Sequence, residues 1–81
     1  MITIYSTSWC QFCKLAGRYL SEKGLEFKEI NIEEDGISRD DLVKLTGGRS
    51  VPQIIVDGKP IGGYDDLLRL DNEKKLIQTV K

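Results

Sequence analysis

Within its first 32 residues the chain changes hydrophobic period twice, and this succession restricts the fold more than any other feature. Ile2, Ile4 and Tyr5 in ITIYS mark a short strand. Phe12, Leu15, Ala16, Tyr19 and Leu20 then recur at helical spacing and define one apolar face. Gly24, after SEK, stands where a helix C-terminus favours glycine. EFKEINI returns to strand, with Phe27, Ile30 and Ile32 as its apolar members, though the alternation is imperfect. A strand, helix, strand unit this short crosses over right-handed and brings its strands parallel.

The second half follows a different order. Ser38 predicts a helix cap, with Asp41 three residues on as a capping-box partner. Leu42, Val43 and Leu45 supply that helix with a buried side, and Thr46-Gly47-Gly48 ends it. VPQIIV is an apolar strand opened by a proline. Asp57-Gly58 is a hairpin turn signal, and KPIGG is the return strand. Tyr64 to Leu70 reads as helix, with Asp71 or Asn72 restarting it toward Leu76, Ile77 and Val80. The order is β-α-β, then α, then β-β-α. It predicts an α/β fold with a small four-stranded sheet and helices on its faces. Without repeats, low-complexity segments or linkers, residues 1–81 read as a single domain.

Composition narrows the function. A net charge of −1 argues against a nucleic-acid binder, because holding phosphates needs a basic excess. No apolar run approaches the roughly 18–20 residues that span a bilayer. MITIYSTSW has neither a basic nor an apolar signal region, so the expected compartment is the cytoplasm. There a C-x-x-C pair points to catalysis or metal binding rather than a permanent staple.

SWCQFCK holds both cysteines of the chain, Cys10 and Cys13. Structural zinc needs four nitrogen or sulfur ligands, and the chain offers two cysteines and no histidine. A structural disulfide would close a very small loop, which stabilises little. A redox couple has positive support. The pair lies between a strand and the first turn of a helix, where free N–H groups and the macrodipole stabilise a thiolate. That placement makes Cys10, at the cap and more exposed, the attacking thiolate, and Cys13 the resolving thiol. Lys14 reads equally as added positive potential or as a solvated helix charge. Pro52 opens an apolar strand. A cis peptide there would leave the Val51 backbone free to pair with a peptide, whereas a trans one would simply begin an edge strand.

CQFC, followed by GGRSVPQIIVDGKPIGGYDDLLRLD, resembles the glutaredoxins. The likeness covers nearly the whole chain in order, and its most specific part is the VPQ strand followed by IGGYDDL. It is similar to the short dithiol glutaredoxins of bacteria and phage. The resemblance implies the minimal thioredoxin fold, a four-stranded mixed sheet flanked by helices. It also implies a glutathione-dependent oxidoreductase that acts on glutathione mixed disulfides and protein disulfides, with ribonucleotide reductase among the acceptors of some members. Glutathione is then a co-substrate, and neither a nucleic acid, a membrane nor a metal is expected. The protein is expected to be a monomer.

Carried onto this sequence, the resemblance makes Cys10 the nucleophile and Cys13 the resolving cysteine. Val51, beside Pro52, pairs its backbone with the glutathione cysteine. Tyr64 and Asp65 take the γ-glutamyl end, Arg39 takes the glycine carboxylate, and Phe12 replaces the usual tyrosine. A cation at one end and a carboxylate facing the ammonium would orient glutathione. Arg39 also reads as a solvated helix-start charge, Asp65 and Asp66 as first-turn residues favoured by the dipole, and Tyr64 as a packing aromatic.

Three positions depart from the family pattern. Thr7 stands where a lysine is common, CQFC replaces C-P-Y-C, and Trp9 is reminiscent of thioredoxins. Gln11, in place of the proline, is compatible with a different class of function, a dimer sharing a [2Fe-2S] cluster ligated by the nucleophilic cysteine and glutathione. Trp9 and Thr7 lean toward a protein reductant fed by thioredoxin reductase.

Overall fold

The computed structural model describes residues 1–72. The elements are β1 (Ile2–Ser6), α1 (Gln11–Glu22), β2 (Phe27–Asn31), α2 (Arg39–Thr46), β3 (Gln53–Val56), β4 (Lys59–Gly62) and α3 (Tyr64–Asn72). This is the expected β-α-β-α-β-β-α order. The four strands lie in the order β2-β1-β3-β4. β1 runs parallel to β2 and antiparallel to β3, and β3 runs antiparallel to β4, so the sheet is mixed. Leu76, Ile77 and Val80, expected in the last helix, lie outside the described residues. Among the described residues no helix is long and apolar enough to cross a membrane.

β1 and β3 are the central strands, and their alternation decides the core. Ile4 faces Ile54 and Ile2 faces Val56 across the ladder, all four buried. Ala16 and Leu20 of α1 and Leu67 of α3 close over them. Each large apolar side chain removed from water in this way contributes ~1.5–3 kcal/mol. Leu42 of α2 and Ile32 are buried outside that cluster. The edges differ in chemistry. β2 exposes Lys28 and Glu29, and β4 carries Pro60, which a central strand would exclude.

The helical faces depart from the sequence reading. Phe12 is 59% exposed and Leu15 42% exposed; the buried face of α1 is Cys13, Ala16 and Leu20. The interior seam therefore runs through Cys13, a small apolar residue. In α2 only Leu42 of the three expected residues is buried, while Val43 and Leu45 are exposed and Thr46 turns inward. A helix of eight residues resting on one strand buries a single stripe. Ile32, placed in β2 by its apolar character, lies one residue past the strand's end.

Local signals were otherwise followed closely. Ser38 caps α2: the Asp41 amide donates to Ser38 Oγ at 3.0 Å and the Ser38 amide to Asp41 Oδ2 at 3.3 Å. Gly47 ends that helix at φ 85°, a left-handed position that favours glycine. Asp57 (φ 50°) and Gly58 (φ 83°) make the two-residue hairpin turn, where both central positions need positive φ. Gly17 sits inside α1 despite its poor helix propensity, because a Cβ there would lie 3.1 Å from the Phe27 ring.

α1 and α3 are tied by a polar link. The Tyr19 hydroxyl donates to Asp71, and Lys23 Nζ lies 3.1 Å from the same carboxylate and 5.6 Å from the Tyr19 ring centroid. The Asp71 hydrogen bond, with burial, pushes the Tyr19 hydroxyl up to about 12. The Tyr19 hydrogen bond holds Asp71 below its ordinary value, with Lys23 adding to the effect. The tyrosine's contribution is therefore complete below pH 10 and is lost as pH rises through about 12. Asp71's contribution is present above the ordinary carboxylate range and is lost as acid titrates it. Tyr19→Phe is expected to cost ~1 kcal/mol, roughly 4–8 °C in Tm at neutral pH. Between pH 10 and 12 the melting temperatures of wild type and variant should converge, which thermal melts across that range will check.

Candidate active site

β1 ends at Ser6, and a turn then delivers the chain to α1. The Cys10 amide donates to the Thr7 carbonyl at 3.3 Å, closing that turn. Cys10 is the N-cap of α1, with extended backbone at φ −83° and ψ 109°. Its sulfur takes the capping role usually filled by a hydroxyl or carboxylate: the Cys13 amide donates to Cys10 Sγ at 3.1 Å. The two cysteines are joined as a disulfide, with Cα atoms 5.2 Å apart. Placing Cys10 at the cap and Cys13 in the first turn is as the sequence implied. Cys10 is the more exposed of the two by a narrow margin, and both are buried in the disulfide form: Cys10 is 4% exposed and Cys13 1%. The exposed neighbours are instead Trp9, at 64%, and Phe12.

Among the described residues no lysine or arginine hydrogen-bonds either sulfur. Lys14 borders a different cleft, with Ser6, Thr7, Ser8 and Asn31. Among the described residues the hydrogen bond to a cysteine sulfur comes from the helix start. No three His, Cys, Asp or Glu side chains converge on one point among the described residues.

Alongside runs a groove of about 570 Å³. Five of the residues singled out from the sequence line it: Phe12, Val51, Pro52, Tyr64 and Asp65. The cysteines do not line it themselves; Phe12, between them in sequence, does. The Val51–Pro52 peptide is cis, one of the two alternatives the sequence left open, and Pro52 is buried. Pairing of β3 with β1 stops at Gln53↔Tyr5, so Val51 lies beyond the ladder. The Phe12 and Tyr64 rings face each other with centroids 6.1 Å apart. α3 starts on the groove, where the first N–H groups of a helix have no partner within it.

Arg39 is the exception. It does not line the groove; its Nη1 donates to the Arg49 carbonyl at 2.9 Å. Arg49 Nη1 in turn meets Asp40 Oδ1 at 3.2 Å. The two arginines thus tie the start of α2 to the loop that precedes Pro52.

Three groove residues carry roles that motif reading missed. Gln53 is 6% exposed, and its Nε2 donates to Ser50 Oγ at 3.4 Å. Gly48 packs so closely on that amide that a Cβ would collide with it. A polar residue opening an apolar strand was the available signal. Asp66 is the third: its carboxylate accepts the Gly63 amide at 3.0 Å, reaching back across the N-terminus of α3. Gly62, at φ 108°, has no room for a Cβ beside the same carboxylate. The Asp66 bond follows capping-box spacing, hidden because glycine supplies no side chain at the cap.

The glutaredoxin family model matches residues 2–61. The chain belongs to the glutaredoxin family. It is 40% identical over 70 residues to Glutaredoxin 3 of Escherichia coli (strain K12), covering 86% of this chain and 84% of that one. A glutaredoxin of Pseudomonas aeruginosa is 37% identical over 75 residues, covering 93% and 89%. The crystal structure of a buckwheat glutaredoxin-glutathione complex superposes with a TM-score of 0.87 at 25% identity, covering 98% of this chain and 74% of that one. The solution structure of a Brucella melitensis glutaredoxin gives 0.83 at 34% identity, covering 99% and 87%. The fold is the minimal thioredoxin fold of that family. As a glutaredoxin, the protein is a thiol-disulfide oxidoreductase, and Cys10 and Cys13 are its cysteine pair.

Gly62→Ala is expected to destabilise the protein by about 1–3 kcal/mol, since alanine resists both the backbone angle and the space. A thermal melt would show it as a lowered Tm, with Gly58→Ala, which meets no neighbouring atom, as the control for positive φ alone.

Proposed function

We propose that this glutaredoxin is a glutathione-dependent oxidoreductase that reduces glutathione mixed disulfides and protein disulfides, working as a cytoplasmic monomer. The observation that carries the proposal is a cysteine pair at the start of α1, beside a groove that joins Val51, Tyr64 and Asp65. Glutathione is an extended tripeptide with two carboxylates and one ammonium. In this reading its cysteine lies along the Val51 backbone. Its γ-glutamyl carboxylate meets the N–H groups at the start of α3, and its ammonium meets Asp65. Arg39, held by Nη1 on the Arg49 carbonyl, keeps further guanidinium N–H donors with which to meet the glycine carboxylate.

The reaction follows from the cap. The Cys10 thiolate attacks the glutathione sulfur of a mixed disulfide, and the substrate thiolate leaves and takes a proton. A second glutathione thiolate attacks the Cys10 mixed disulfide, regenerating Cys10 and releasing glutathione disulfide. With a protein disulfide, Cys10 forms the mixed disulfide and Cys13 resolves it, producing the Cys10–Cys13 bond. Ribonucleotide reductase is one protein disulfide this reading includes.

Cys10→Ser is expected to abolish both reactions. Cys13→Ser should keep reduction of glutathione mixed disulfides and lose direct protein-disulfide reduction. A coupled assay with glutathione, glutathione reductase and NADPH measures the first reaction, and turnover of a protein disulfide measures the second. Equal loss in both variants and both assays contradicts the division of roles, and no turnover by folded, reduced wild type contradicts glutathione dependence. Asp65→Ala should raise the KM for glutathione by about tenfold, corresponding to ~1.4 kcal/mol, with kcat much less affected.

A further inference from the structure

Among the described residues, Thr7 Oγ1 is the fully buried side-chain polar atom with no hydrogen-bond partner. Thr7 as a whole is 4% exposed. Its hydroxyl has therefore lost water without gaining a protein acceptor, which costs free energy and calls for an explanation. The flanking Ser8 shows what is ordinary in this turn: its exposed hydroxyl accepts from Asn31 Nδ2 at 2.9 Å. The position of Thr7 supplies the explanation. Its carbonyl accepts the Cys10 amide at 3.3 Å, so the turn holds Thr7 against the residue that carries the nucleophile. In the disulfide form the Cys10 sulfur is bonded to Cys13 and is a weak acceptor. On reduction it becomes a far better one, and no side-chain cation competes for it among the described residues.

We infer that the Thr7 hydroxyl is a hydrogen-bond donor reserved for the reduced state: unpaired while Cys10 and Cys13 are bonded, it donates to the Cys10 sulfur once the couple is reduced. This rests on Cys10 and Cys13 being a redox couple and is independent of whether glutathione is the reductant. In the reduction a dithiol gives up two electrons and two protons and becomes a disulfide. The Cys10–Cys13 bond takes the electrons and breaks. One proton stays on the Cys13 sulfur and the other goes to solvent, leaving Cys10 as thiolate. The donor waits for that thiolate, so it favours the reduced side of the equilibrium. It also makes the oxidised form bear the unsatisfied group.

The test uses the whole chain in dithiothreitol redox buffers, which require no glutathione site. Thr7→Val keeps the shape and removes the donor. It should lower the equilibrium constant for reduction by about tenfold, about 30 mV for a two-electron couple. The melting temperature of the oxidised variant should equal or exceed that of oxidised wild type, while the reduced variant melts lower than reduced wild type. Thr7→Ser, which restores the hydroxyl, should return the equilibrium toward the wild-type value. Thr7→Ala provides the same comparison should the valine not fold. An unchanged equilibrium, both redox forms shifting together in stability, or failure of serine to restore the couple would overturn the inference and leave Thr7 a packing residue.

Discussion

The hydrogen bond from the Cys13 amide to the Cys10 sulfur, 3.1 Å long, connects the chemistry of this protein to its fold. A helix start leaves N–H groups without partners, and an oxygen side chain usually satisfies one of them. Here sulfur does so. The same atom closes the helix and belongs to the cysteine pair. Capping holds Cys10 at the positive end of the macrodipole, a place that favours a thiolate, and among the described residues no lysine or arginine hydrogen-bonds its sulfur.

The rest of the architecture brings a second surface to that helix start. β1 leads into α1, and β3 pairs beside β1 in the middle of the sheet. The ends of those two adjacent strands carry the cysteine turn and the Val51–Pro52 segment. Antiparallel pairing places the start of β3 beside the end of β1, with Gln53 opposite Tyr5. The β3–β4 hairpin then returns the chain to the same end, where α3 begins at Tyr64. Neighbouring contacts hold this rim in place: Arg39 on the Arg49 carbonyl, Gln53 on Ser50, and Asp66 on the Gly63 amide.

Much of this was legible in the sequence because it depends on local rules. The Ser38–Asp41 capping box, the Asp57-Gly58 turn and the change of period that creates the parallel β1–β2 pair each depend on a few neighbouring residues. The C-x-x-C at a strand-to-helix junction was legible for the same reason. Side-chain partners set by tertiary packing were not. Phe12 and Leu15 fit the apolar period of α1, yet both face outward, because the sheet meets the helix along Cys13, Ala16 and Leu20. Arg39 has the charge for a carboxylate ligand, and its hydrogen bond to a backbone carbonyl ten residues away was not legible. Thr7 read as a missing lysine, and only its burial shows an unpaired hydroxyl on the residue whose carbonyl accepts the Cys10 amide.

The central claim is that the Cys10–Cys13 bond is a working redox couple held at a helix cap and not a staple for a small domain. The most direct measurement is its equilibrium in glutathione redox buffers, read as the fraction of protein with free thiols. The account predicts a midpoint near those of glutaredoxins, roughly −200 to −230 mV, so that the couple cycles with the glutathione pool. A midpoint below about −300 mV, where structural disulfides lie, would contradict it.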